Sequence, residues 1–145
     1  MKRLIPPDDC PEEIARRLDV IQQHRALNAI LGVNPDAMSQ AEQHQQQRRR
    51  GEPIGPLHGV PLIVKDNIAC APMPITLGCR ALASLNATAD ARVVQRLRRA
   101  GAIILARANM SEFAFDVRSR SSLGGDVANP LCPTLTAGGS SGGCA

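Results

Sequence analysis

Two apolar runs separated by a helical pattern constrain this chain more than any other feature. Leu62-Ile63-Val64 is apolar at consecutive positions, as in a strand buried on both faces. After a Pro-rich loop, Asp90 opens a helical pattern carrying Val93, Val94 and Leu97, which Gly101 closes. "AIILARANM" then reads as a second buried strand. Strand, helix, strand is the order in which a crossover returns the chain to the same sheet, so an α/β fold is predicted.

The flanking segments are read in the same way. Pro11-Glu12-Glu13 follows Asp9 and opens a helix in which Ile14, Leu18 and Ile21 recur at helical spacing. The stretch 26–33 is apolar and reads as extended. Asn34 is placed as the cap of a second helix, with Pro35 at its first position, running through Ala37, Met38 and Ala41. Its polar end, "EQHQQQRRR", reads as a solvated helix end with arginines near the C-terminus rather than as a low-complexity tract. "SEFAF" is predicted to be a capped helical turn. From Ser119 onward Gly, Ser, Asn and Pro dominate, with no further strand or helix expected. At 145 residues the chain suits one domain with a moderate core.

Composition excludes several function classes. The chain has two Phe, no Tyr and no Trp, so an aromatic stacking platform for single-stranded nucleic acid is excluded. The net charge of +4 lies in the second half, where Arg92, Arg96, Arg98 and Arg99 read as the solvated face of a helix rather than a nucleic-acid patch. Cys10, Cys70, Cys79, Cys132 and Cys144 form no CxxC pair, so neither a zinc site nor a redox motif is expected. Reduced thiols in a cytoplasmic protein are the simpler account. "MKRLIPPDDC" lacks the apolar stretch of a secretory signal, and no apolar run is long enough for a membrane span.

Lysine usage singles out one residue. The chain has 15 Arg but only Lys2 and Lys65, so wherever a plain cation was wanted it used arginine. Lys65 directly follows an apolar strand, where an ammonium is costly to desolvate. Lysine, unlike arginine, can respond by releasing its proton. Lys65 is therefore a candidate general base or Schiff-base former. The competing reading has Lys65 reaching outward to pair with Asp66.

"TLTAGGSSGGCA" at 134–145 is the other candidate. Its glycine pairs allow close backbone approach to a ligand, and Ser140 and Ser141 supply hydroxyls that can attack, relay a proton or hold an oxyanion. The same stretch also suits a flexible linker or an anion nest, although it lacks the ending of a P-loop and is not a GxSxG elbow. His24 and His44 read as solvated, and His58 in "PLHGVP" as a packed histidine or one bonded to backbone. With no histidine base in view, a Ser-Lys pairing fits better than a Ser-His-Asp triad.

"GPLHGVPLIVKDNI", "LARANMSEFAF" and "NPLCPTLTAGGSSGG", in this order and spacing, resemble the amidase signature family over roughly 26–145. "LNAILGVNPDAMSQA" is similar to the family's helical entry. The resemblance implies the N-terminal portion of an α/β fold whose large mixed sheet is flanked by helices. Residues 1–25 would be the helical entry and 26–145 the start of the core, with the remainder absent. It implies amide hydrolysis or nitrogen transfer through a Ser–Ser–Lys triad and an acyl-enzyme, without cofactor or metal. The family lysine falls on Lys65. The bridging serine, which follows a cis peptide bond, falls on Ser140. Gly138, Gly139, Ser141 and Gly142 would form the turn and the substrate-facing backbone around it.

The resemblance also sets limits. The family's nucleophile lies roughly two dozen residues beyond the bridging serine, past the end of this chain, so no turnover is expected from these 145 residues alone. Smaller departures are Cys79 and Cys144, and "LARANM" where "LGKTNM" is common. The implied partner is a small-molecule amide, with neither nucleic acid nor membrane expected and a homodimer open for the complete protein. Two other readings stay open. One is the amidase component of a glutamyl- or aspartyl-tRNA amidotransferase. The other is a non-catalytic anion-binding module in which "AGGSSGG" is a nest and Lys65 a structural ion pair.

Overall fold

The structure, a computed structural model, describes residues 9–145. The readings that fall on residues 1–8, including Lys2 and most of "MKRLIPPDDC", lie outside the described residues. Helices α1 (Cys10–Gln23), α2 (Ala37–Arg49) and α3 (Arg92–Arg99) surround a sheet of β1 (Ile30–Val33), β2 (Pro61–Lys65) and β3 (Ile103–Ala108). The strand order is β1-β3-β2, with β1 antiparallel and β2 parallel to β3. The predicted strand, helix, strand unit is therefore β2-α3-β3, and the sheet is mixed.

The core divides across β3 because successive strand residues point to opposite faces. Ile103 and Leu105 meet Cys10 and Ile14 of α1 and Ala37 and Ala41 of α2. On the other face, Ile104 packs with Val64, Cys70, Met73 and Val94. All six residues of β3 are buried, as expected of a central strand. β2 differs from its predicted burial, since Ile63 is 42% exposed. It is an outer strand of the sheet, and Ile63 is its one exposed residue, with Val64 buried and the others intermediate.

Local signals explain the helix starts, with two corrections. The Asp9 carboxylate accepts from Glu12 N–H at 3.0 Å, and Pro11 lies in the first turn of α1. Asn34, expected to cap α2, instead ties the helix entry to the sheet. Its Nδ2 donates to the Ile104 carbonyl at 2.8 Å, its Oδ1 accepts from Asp36 N–H at 3.0 Å, and α2 begins at Ala37. Asp90 is likewise not the cap of α3. It accepts from Ala71 N–H at 2.8 Å and pairs with Arg98 at 3.0 Å, so Arg98 is a tether rather than a solvated charge.

"SEFAF" forms a 3-10 turn over Glu112–Ala114, but Ser111 makes no cap. Phe113 and Ala114 adopt left-handed φ values of 52° and 60°, which ends the turn at once. His44, expected in solvent, stacks on the buried His58 ring with centroids 4.5 Å apart. His58 Nε2 donates to the His44 carbonyl at 2.9 Å, as the backbone-bonded reading of His58 anticipated.

Candidate active site

The end of β2 and the glycine-rich turn at 138–142 meet over the sheet. Parallel pairing sets Lys65 opposite Ala108, and the short 3-10 turn Gly142–Cys144 packs against both β2 and β3. The contact carries the Lys65 ammonium to the Ser140 hydroxyl, with Nζ donating to Oγ at 2.7 Å. At this distance a proton can pass directly between the two groups once lysine is neutral.

Asp66 has no part in holding Lys65. Its buried carboxylate accepts from Thr76 N–H and Gly78 N–H, both at 3.1 Å, and from the Thr76 hydroxyl. It also pairs with Arg107 of β3. The reading in which Lys65 pairs with Asp66 is thereby overturned, because the carboxylate is already surrounded by other donors. These contacts pin the loop at 76–78 beneath the residue that follows Lys65.

The turn is anchored at several points, unlike a flexible linker. Gly138 has a φ of +83°, and the Gly139–Ser140 peptide is cis. Ser111 N–H donates to the Ser140 carbonyl at 3.1 Å. The Ser119 hydroxyl donates to the Gly138 carbonyl at 2.6 Å and accepts from Gly142 N–H at 2.8 Å. A Cβ on Gly139 would come within 2.8 Å of the Val117 backbone and 2.9 Å of Ser119 N. Glycine at 139 is thus a requirement of space, whereas at 138 it suits the positive φ. Ser141 is exposed, and its carbonyl accepts from Cys144 N–H at 2.9 Å.

Lys65, Ser140 and the glycines around Ser140 are thus brought together as one unit, with Ser141 at its exposed edge. The Cys144 thiol stands close enough to feel Lys65. Although Cys144 is exposed, partial desolvation by its surroundings raises the thiol pKa above the ordinary value, and the lysine charge opposes that shift. No cluster of three or more His, Cys, Asp or Glu converges among the described residues. Sequence reasoning missed Ser111 and Ser119. Ser111 lies within "LARANMSEFAF" but was read only as the start of a helical turn, Ser119 lies in none of the quoted motifs, and their contacts arise only when 111–119 folds back over the turn. The Asp66–Arg107 pair was equally hidden, because 41 residues separate its members.

Residues 12–145 match the family model described as Amidase. The chain is 42% identical over 120 residues to the A subunit of the glutamyl-tRNA(Gln) amidotransferase of Salinibacter ruber, covering 82% of this chain and 23% of that protein. Against the corresponding protein of Archaeoglobus fulgidus it is 38% identical over 143 residues, covering 98% of this chain and 30% of the relative. Among solved structures, the peptide amidase of Stenotrophomonas maltophilia superposes with a TM-score of 0.83 at 36% identity, over 94% of this chain and 29% of the other. An amidase family protein of Bacillus anthracis gives 0.87 at 36% identity, over 93% and 29%. The chain spans less than a third of the length of these relatives. Motif order, the lysine–serine contact and the family match together show that the chain belongs to the amidase family.

Proposed function

We propose that Lys65 and Ser140 are the base and the proton relay of an amide-cleaving site whose attacking serine is supplied from outside these 145 residues. Neutral Lys65 takes the Ser140 proton while Ser140 takes that of the attacking serine. The serine oxygen bonds to the carboxamide carbon, and backbone N–H groups near the nucleophile hold the oxyanion. The C–N bond then breaks, and the proton returns through Ser140 to the leaving nitrogen. Water hydrolyses the acyl-enzyme by the same relay in reverse.

The observation that carries this reading is the 2.7 Å contact between Lys65 Nζ and Ser140 Oγ. A chimera tests it, with this chain replacing the matching portion of the Stenotrophomonas maltophilia peptide amidase. Lys65→Ala and Ser140→Ala should each lower kcat by about 10⁴-fold or more. An unchanged kcat in either variant would refute its assignment. In the 145-residue chain itself, a fluorophosphonate probe should leave Ser140 and Ser141 unlabelled. Clear labelling at Ser140 would make it a nucleophile rather than a relay.

A second reading is favoured by the names of the curated relatives, which are amidotransferase A subunits. Under it the amide is glutamine and the released ammonia serves a partner. Assaying the complete protein that carries this chain with glutamine and with a C-terminal peptide amide separates the two, since each reading expects its own amide to turn over faster. The five cysteines form no disulfide, which supports a reducing, cytoplasmic setting.

A further inference from the structure

We propose that Ser119 is a positioning residue for Ser140: its hydroxyl clamps the carbonyl two residues before Ser140 to the amide two residues after it. The inference rests on the assignment of Ser140 as the relay.

Ser119 is fully buried and belongs to none of the segments that carry the family resemblance. Its hydroxyl proton is committed to the Gly138 carbonyl at 2.6 Å, and a lone pair to Gly142 N–H at 2.8 Å. A hydroxyl has one proton to give, so Ser119 holds the relay turn without being able to pass a proton along it. Its own N–H donates to Ser111 Oγ at 3.0 Å, and Ser111 N–H grips the Ser140 carbonyl at 3.1 Å. The two serines therefore hold the turn before, at and after Ser140. Gly142 completes the fit, since a Cβ there would lie 2.7 Å from the Ser119 Cβ.

The backbone at Ser119 gives an independent reason to look to the hydroxyl. Its φ is +53°, in the left-handed region where glycine fits without penalty and asparagine is the commonest alternative. A serine at such a position carries a steric cost that glycine would avoid. The hydroxyl contacts to the turn are what glycine would lose.

The test uses the protein labelled with ¹³Cε-lysine. Only Lys2 and Lys65 report, so Lys2 serves as the internal standard. Ser140→Ala defines the displacement of the Lys65 signal when its partner is removed. Ser119→Gly, which deletes the hydroxyl while suiting the backbone, is expected to move the signal in the same direction and most of the way. Ser119→Ala is expected to do the same. Ile14→Val, which loosens the distant α1 face of the core, should leave the signal in place and so separates positioning from general loss of stability. If Ser140→Ala moves the Lys65 signal and both Ser119 variants leave it unmoved, the positioning role is overturned while the Lys65–Ser140 pair stands. If Ser140→Ala itself leaves the signal unmoved, the pair and the positioning role fail together. Loss of the fold in Ser119→Gly would mark Ser119 as a general structural brace and also overturn the proposal.

Discussion

The contact between Lys65 and Ser140 joins the residues that looked most out of place in the sequence: an isolated lysine among arginines and a serine between glycines. Both were legible because each leaves a compositional trace. Ser111, Ser119 and Asp66 left none, since buried serines and an acid beside a lysine are unremarkable until the chain folds. The cysteines illustrate the same limit. Nothing in the spacing of Cys70 distinguishes it, yet burial in the α3 face of the core, reinforced by Asp90, pushes its thiol up to about 11. A thiol so raised stays protonated in mildly alkaline buffer and is a poor nucleophile. Iodoacetamide at about pH 8 should therefore leave Cys70 unmodified in the native chain and alkylate it only on unfolding. Mass spectrometry of the native digest checks this, and ready alkylation of Cys70 would contradict its buried placement.

Between elements, the interactions of longest sequence separation were the least legible. Arg107 and Asp66 lock β3 to the loop after β2, and both are almost wholly buried. Removing one partner of such a pair leaves an unpaired charge, so Arg107→Met should cost about 3–5 kcal/mol of unfolding free energy. Urea denaturation measures it, and a loss no larger than that of an exposed arginine would show the pair to be dispensable. The His44–His58 stack offers a second test, because it joins α2 to the loop entering β2. Burial, and then the neighbouring His58, hold His44 below its ordinary value of 6.5. The unfolded chain binds that proton more readily, so the stack's full stability is present above about pH 6.5 and declines as pH falls through it. Between about pH 7.5 and about pH 5.5 the Tm should fall more steeply in the parent chain than in His44→Gln. Equal slopes would remove His44 from the account. The helices themselves were well anticipated from apolar spacing. The errors at Asn34 and Asp90 arose because each side chain found a stronger tertiary partner than the helix start beside it.

At the scale of the molecule, the β2-α3-β3 unit followed from periodicity alone, whereas the mixed sheet did not. The stretch 26–33 gave no sign that β1 would run antiparallel to β3. Both outer strands keep apolar residues uncovered, with Val33 46% and Ile63 42% exposed. A cavity of about 540 Å³ lies beside β1, lined by Val20, Ile21, Leu27, Ile30, Leu31 and Val33 among others. Uncovered strand edges and apolar clefts promote association. Sedimentation velocity should therefore show the chain's mass rising with concentration, and a monodisperse monomer throughout would count against these exposed surfaces. The central claim is that Lys65 acts as a base through Ser140, and Lys65→Arg in the peptide amidase chimera tests it most directly. Arginine keeps the charge and the hydrogen-bond donors but cannot give up its proton. Lys65→Arg should lower kcat by about 10⁴-fold or more, as much as Lys65→Ala. A Lys65→Arg chimera retaining the kcat of its parent would contradict that claim.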